Sequence, residues 1–443
     1  MDLPAEAGAP VVVEAGTPAA VESGTAAVTQ QAGTSLLDTL RDNGAITPEQ
    51  HRTLSAATPN SAVLNEPSEG PSVTMGSSGF RVKSSDGEAS IKVGGRVQVD
   101  ANLHTNDGPL DDFINDGTEL RRARIELKGT LADGIIWAAE TEFANNDASV
   151  RDFWVGYEGD GDGPSYVFGN QKQPFSLAVE ESSNDIPFTE RGVDTFLVIP
   201  FVDRAIGFRA QDSGEDWFYA AGVYGDGVSP TAVDDEGWGV TGRFVLAPVQ
   251  TDTEVVHLGV RGSYRAPEDP IRIRDESGNM SNLRVVDTGL LSDVNGVTIA
   301  GAEATWATGP FSIGGEWNIV NLDRLGEDSD FTSYHVAATY TLTGESRAKA
   351  WRMDAGEFKR LRADNAGDRP IELAARFASI DLNSRGIQGG EEDVFTLGLN
   401  WYYSDNLRLL LNWSHVLDVD EGDLSVGDAD GLNIFGFRAQ LNF

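Results

Sequence analysis

The sequence predicts an all-β protein, a sixteen-stranded antiparallel transmembrane β-barrel behind a short N-terminal helical hairpin and a flexible tail. Three observations carry that prediction. From about Phe80 to Phe443, segment after segment alternates apolar and polar residues, the signature of a strand lying between two environments. The connections between these segments alternate short and long. No stretch reaches about 18 uninterrupted apolar residues, so a membrane would be crossed by strands of about 9–11 residues and not by helices.

Composition sets the outer bounds. The 443 residues include 50 Gly, 18 Pro and no Cys, with 33 Lys+Arg against 70 Asp+Glu and a formal net charge of −37. Without cysteine, disulfides, thiolate metal sites and a Cys nucleophile are excluded. A chain this acidic lacks the large basic face that a phosphate backbone requires, so nucleic acid is not an expected partner. The opening MDLPAEAGAP has neither a basic n-region nor an apolar h-region, so it reads as a cytosolic chain or as a mature form without its leader, and the barrel favours the second.

Along the chain, residues 1–33 are Ala, Gly, Pro, Val and Glu without period, a flexible tail. Residues 34–57 read as a helical hairpin. Thr34 or Ser35 caps a first helix with Leu36, Leu37 and Leu40, and Asn43-Gly44 stops it. Thr47-Pro48 opens a second helix, with Gln50 at capping-box spacing. The apolar stripe (Leu36, Leu40, Ile46, Leu54) is too small to be stable alone and is expected to pack across an oligomer axis. Residues 58–79, rich in Pro, Ser, Gly and Asn, read as a linker, and 80–443 as the barrel.

The sixteen expected strands lie near 91–101, 118–131, 135–144, 149–157, 165–171, 202–210, 217–224, 238–247, 255–265, 297–307, 311–322, 331–342, 371–381, 392–403, 407–417 and 433–443. Short turns such as Ala132-Asp133-Gly134, Thr308-Gly309-Pro310 and Ser404-Asp405-Asn406 alternate with longer Asp/Gly-rich loops (102–117, 172–201, 225–237, 266–296, 418–432). An even strand number with short turns at one end and long loops at the other is the pattern of an outer-membrane barrel. Residues 343–370 break the rule, being long where a short turn is due; they either fold into the lumen or mark a local miscount. A soluble sandwich would show the same alternation with the apolar face inside, but it would be unusually large. No fixed 20–50-residue repeat supports a solenoid or propeller.

Several stretches resemble the phosphate-selective porin O and P family of Gram-negative outer membranes. They are Gly117-Thr118-Glu119-Leu120-Arg121-Arg122-Ala123-Arg124-Ile125, Gly169-Asn170-Gln171-Lys172-Gln173-Pro174-Phe175-Ser176 and Phe188-Thr189-Glu190-Arg191. Further on come Leu342-Thr343-Gly344-Glu345-Ser346-Arg347, Ile371-Glu372-Leu373-Ala374-Ala375-Arg376-Phe377 and Leu397-Gly398-Leu399-Asn400-Trp401-Tyr402. The segment Asn43-Gly44-Ala45-Ile46-Thr47 is similar to one that often precedes such barrels. The resemblance implies a sixteen-stranded barrel, usually trimeric, a third external loop folded inward to narrow the pore (here about Gln173–Pro200), and arginines along an anion route.

Strand parity places the polar side of each strand in an aqueous lumen. The basic side chains on that side are Lys92, Arg96, Arg122, Arg124, Lys128, Arg209, Arg243, Arg261, Arg376, Arg408 and Arg438, and parity turns Arg121 outward. Lys172, Arg191 and Arg204 flank or lie on the expected constriction loop. The facing acids are Asp100, Glu126, Glu140, Glu142, Glu303, Glu316 and Glu372. The lumen is thus mixed and slightly basic in an acidic chain. Arginine suits an anion path because its planar fork binds carboxylate or phosphate at two points and stays charged. Each arginine is equally consistent with pairing to a luminal acid and bracing the wall. The chain has only six lysines, none clustered near the constriction by sequence, and the loop carries Glu180, Glu181, Asp185 and Glu190, which argues against strict phosphate selectivity.

Weaker signals complete the reading. The alternating aromatic C-terminal strand ending at Phe443 resembles the insertion signal of outer-membrane barrels. Trp154, Tyr157, Trp217, Tyr224, Trp401, Tyr402 and Tyr403 suit aromatic girdles. The acidic runs at 159–163 and 418–431 complete no EF-hand pattern, so solvated loops, sharing divalent ions with lipopolysaccharide, are expected and no dedicated metal site. Five scattered His and no catalytic motif predict no enzyme and no cofactor. The function expected is passive diffusion of small anions, phosphate or organic acids, through a homotrimeric outer-membrane porin with its N-terminal segment in the periplasm. A general or organic-acid porin without phosphate selectivity, a plugged structural or adhesion barrel and a barrel-wall hydrolase are the rivals.

Overall fold

The computed structural model describes residues 41, 43–44, 47–57, 70–76, 79–105, 110, 113–159, 163–228, 235–268, 270–275, 283–362, 367–420, 422–423 and 429–443. The chain divides into two units, residues 1–68 and 69–443. In the first, helix α1 spans Pro48–Ala57. Thr47 Oγ1 accepts from Gln50 N–H at 3.2 Å, and Gln50 Oε1 accepts from Thr47 N–H at 2.8 Å, the reciprocal capping box that the spacing predicts. Gly44 sits at φ +71, the left-handed stop. The tail at 1–33 and the apolar stripe through Leu36, Leu40, Ile46 and Leu54 fall outside the described residues or side chains.

The second unit opens with a hairpin, β1 (Ser72–Gly76) and β2 (Gly79–Lys83), in a stretch that the sequence reads mostly as linker. The Ser/Pro/Gly composition there hides a short alternation of Val73, Met75, Phe80 and Val82, and only glycine takes φ +105 at position 79 without strain. The barrel follows. Its first eight strands are β3 (Ser90–Thr105), β4 (Gly117–Thr130), β5 (Ile135–Glu142), β6 (Ser149–Tyr157), β7 (Ser165–Lys172), β8 (Arg204–Ser213), β9 (Trp217–Tyr224) and β10 (Trp238–Gln250). Then come β11 (Glu254–Ala266), β12 (Val294–Thr308), β13 (Phe311–Arg324) and β14 (Ser329–Thr341). A two-stranded hairpin, β15 (Trp351–Arg352) and β16 (Glu357–Phe358), pairs with itself alone. The barrel resumes with β17 (Ile371–Ser384), β18 (Ile387–Tyr402), β19 (Leu407–Asp420) and β20 (Asn433–Asn442).

All pairings are antiparallel between neighbours in sequence, β14 pairs with β17, and β20 returns to β3 from Asn433↔Thr105 to Asn442↔Arg96. The sixteen strands therefore close, which removes every free edge from the wall. The sixteen segments read from alternation each correspond to one barrel strand. The side-chain environment decides between barrel and sandwich. Phe435, Phe437 and Leu441 are exposed, whereas Arg438 and Gln440 between them are fully buried. Polar inside and apolar outside is the inverse of a soluble sandwich and the arrangement of a wall facing lipid. Of the expected girdle aromatics, Tyr157 and Tyr403 are exposed on the outer face, but Trp154 lines the lumen and Tyr224 and Tyr402 are buried inside. Tyr402 gains a luminal partner there, its hydroxyl donating to Glu372 at 3.0 Å.

Candidate functional site

The chain between β7 and β8 turns into the lumen and crosses it. Ser176 caps α2 (Leu177–Glu180) by accepting from Val179 N–H, and the free N–H groups of Leu177 and Ala178 donate to Glu303 (2.9 Å) on β12 and Glu316 (2.6 Å) on β13. A helix end supplies unsatisfied N–H donors, so wall carboxylates dock it. On the opposite wall, Arg96 donates to Ser182 (2.9 Å) and Ser183 (3.1 Å), and Arg408 to the carbonyls of Asn184 (3.1 Å) and Ile186 (2.8 Å). Asp194 meets His335 on β14 at 2.8 Å. A short helix α3 (Ile199–Val202) returns the chain to β8.

Two other segments enter. Residues 342–370, the long connection at the short-turn end, fold into the lumen: Trp351 and Phe358 pack on Phe218, Val245 and Ala307 of the inner wall, and Arg347 pairs with Glu372 at 2.5 Å. At the long-loop end, Ile273, Leu283, Val285 and Val286 of the β11–β12 loop are fully buried against Val297, Ile299, Val320, Leu322 and Ile380, which point inward from the wall. One side of the lumen is thus filled like the core of a soluble protein, and the polar space lies along the wall from β3 to β8.

Eleven of the fourteen basic candidates are expected on the anion path, and the structure sorts them by partner. Eight meet carboxylates. Arg96 reaches Glu140 (3.3 Å), Arg124 reaches Glu140 (2.8 Å) and Glu142 (2.5 Å), and Lys128 pairs with Glu126. Arg204 meets Asp152 at 2.9 Å and Arg209 meets Glu180 at 3.5 Å. Arg122 holds Glu190 through two bonds of 2.9 and 3.0 Å. Arg243 and Arg261 converge on Glu303 at 2.5 and 2.6 Å, in the fully buried anchor beneath α2 and away from the polar space. The other three hold loop carbonyls. Lys172 donates to Val179, Glu180 and Glu181, Arg191 to Ala178 and Glu181, and Arg376 to Glu190 O at 3.0 Å while lying 4.3 Å over the Phe188 ring. Among the described residues, none of these three makes an ion pair with a carboxylate.

Parity fails for two arginines, for one reason. Gln98 pairs with Arg122 but Val99 with Leu120, so Arg121 is the extra residue of a β-bulge. It turns in with Arg122, and both bind Glu190, Arg121 at 3.1 Å. A second irregularity, between Ala139/Phe153 and Thr141/Val150, puts an extra residue in β6 and brings Arg151 to the lumen. The inward 342–370 segment supplies what sequence position could not foretell: Lys349 and Lys359 line one cavity with Lys92 and Lys128.

Three adjoining cavities follow the polar side. At the short-turn end, one of about 610 Å³ is lined by eight basic side chains and two acidic ones, Glu126 and Asp185. It shares Arg96, Lys128 and Lys359 with a second of about 600 Å³, which carries eleven basic and eight acidic groups. The second shares Arg121, Arg122, Arg191 and Ile199 with a third of about 250 Å³ toward the long-loop end. The neck between these last two therefore lies between the doubled arginines of the bulge and the inward loop. Among the described residues no group of three or more metal-ligating side chains assembles.

The family model for phosphate-selective porin O and P matches residues 91–443. Porin O of Pseudomonas aeruginosa is 25% identical over 407 residues, covering 82% of this chain and 90% of that protein. An uncharacterized protein of Caulobacter vibrioides is 28% identical over 385 residues, 81% of this chain and 75% of that one. Among solved structures, a loop-deletion form of the outer-membrane protein OmpT of Vibrio cholerae superimposes with TM-score 0.53 at 12% identity, covering 80% of this chain and all of that one. The anion-selective porin from Comamonas acidovorans gives 0.51 at 14%, with the same coverage. The structural likenesses speak for the fold; the match over nearly the whole barrel speaks for descent, and the chain belongs to the phosphate-selective porin O and P family.

Proposed function

We propose that this outer-membrane porin passes small anions passively, through the basic cavities along the β3–β8 wall, past a neck set by the inward loop between β7 and β8. The observation that carries the reading is the excess of positive groups along those cavities in a chain whose net charge is −37. Rings of Lys and Arg in a water-filled constriction raise the local anion concentration and exclude cations. Arg191 and Arg376, held by carbonyls and not by carboxylates, keep that potential positive beside the inward loop. A plugged barrel is the weaker reading, because the three cavities adjoin one another. Phosphate is favoured by the family, and the lysines gathered at the short-turn end favour it too. The same ion-pairing that neutralises eight of the eleven candidates works against tight selection.

The short-turn end, which carries the start of β3 and Phe443, would face the periplasm, and the acidic loops would meet lipopolysaccharide outside. The test is a reversal potential in a planar bilayer under a KCl gradient. An anion-selective current supports the reading, and a cation-selective one from folded protein overturns it.

A further inference from the structure

Resting on that reading, we propose that the cavity at the long-loop end selects amphipathic carboxylates, anions with a ring or branched apolar body, over inorganic phosphate. An aqueous pore gains nothing from apolar inward-facing side chains, since a small hydrated ion passing them loses water without compensation. Yet the wall turns Val394, Val416 and Ile434 of β18, β19 and β20 into this cavity, and the inward loop presents Val193, Phe196 and Ile199 to the same space. These six come from three wall strands and one loop and pack with the core of the filled side, and a cavity of about 250 Å³ remains open between them.

The polar groups follow in order of depth. Thr396, Ser414 and Asn412 line the cavity further along β18 and β19, with Asn102 of β3; Arg121, Arg122 and Arg191 stand where it joins the neck, and Arg376 lines it too. Arg376 spends one N–H on Glu190 O, and its Nε is buried without a partner. An apolar cavity of roughly 150 Å³ holds a benzene ring; about 250 Å³ holds a ring and a carboxylate. The carboxylate would lead toward Arg376 while the body rests on Phe196 and the valines. Glu392, buried in the same lining, and Glu190 repel a second negative charge on the same molecule, which favours monocarboxylates over phosphate dianion.

The experiment uses full-length protein in planar bilayers, first with a KCl gradient and then in symmetric KCl with added phenylacetate, acetate or phosphate. A wild-type current that is cation-selective removes the underlying anion reading. An anion-selective current is the condition in which the further inference is judged. It expects phenylacetate to reduce the current at a concentration at least fivefold below acetate and below phosphate. Phe196→Ser, or the near-isosteric Val394→Thr if the first fails to fold, should bring phenylacetate and acetate together. Equal potency of phenylacetate and acetate in the wild type, stronger action of phosphate, or an unchanged preference in the folded variants overturns the assignment.

Discussion

Glu190 is the residue on which the neck turns. Its carboxylate takes two bonds from Arg122, one from Arg121 at 3.1 Å and one from Arg438 at 2.7 Å. The loop thus places its own anion in a site that three guanidiniums would offer to a passing one. Glu190→Gln keeps the shape and frees the charge. The Cl⁻/K⁺ permeability ratio should rise several-fold, and the folded protein should lose on the order of 3 kcal/mol, because Arg122 and Arg438 stay buried with less to hold them. Reversal potentials and thermal unfolding would register the two effects separately. Glu181, on the same loop, titrates in the opposite regime. Burial pushes its carboxyl up to about 8, against the pull of Arg347 and with the support of Glu357, Asp185 and Glu316 nearby. The proton leaves as pH passes that value, adding a negative charge near Arg347 and Arg191. Anion selectivity should therefore fall between about pH 7 and 9, and Glu181→Gln should flatten the profile. Stability follows the same sign: a carboxyl whose folded pKa is raised contributes below its unfolded pKa and loses that contribution as pH rises through the folded value.

At the scale of elements, the inward loop is held by its first helix as much as by its tip. Glu303 gathers Arg243, Arg261 and His257 from neighbouring strands and accepts the Leu177 N–H. Removing that carboxylate leaves Arg243 buried without one, a loss of about 3–5 kcal/mol where such a group cannot reach water, while Arg261 keeps Glu316 at 2.9 Å. Glu303→Gln should release α2, widen the neck, raise single-channel conductance and weaken ion discrimination together. Conductance and reversal potential recorded on the same channels would show whether the two move as a pair. Alternation in the sequence was enough to find every barrel strand, because one face of each meets lipid and the other does not. Parity then placed Arg96, Arg122 and Arg124 correctly. It fails at Arg121 and does not find Arg151, since a bulge inserts one residue without a mark in the composition. The third inward segment leaves a trace in the sequence: Val297, Ile299, Val320, Leu322 and Ile380 sit on the luminal side of their strands, where an open pore has polar residues. The lysines of 342–370 could not be placed at all, for their neighbours are set by how a loop packs and not by any period.

For the whole molecule, we propose a homotrimer, as the family resemblance implies, and the capped helix at 48–57 as part of an oligomerising hairpin. Detergent-solubilised protein should have about three times the 47.4 kDa of one chain. Light scattering with detergent subtraction measures this, and a chain lacking residues 1–68 tells whether the hairpin or the barrel sustains it.

The two ends of the passage differ in fixed charge, eight basic groups against two acidic at one and a mixed, partly apolar lining at the other. An aqueous conduit with such a gradient is an electrical diode. Mobile anions pile up in it under one polarity and are swept out under the other, so equal and opposite voltages in symmetric dilute salt should drive unequal currents. The asymmetry should fade in molar salt, where the screening length shrinks to about 3 Å. A porin usually thought of as a passive hole would then favour one direction of ion flow without any moving part.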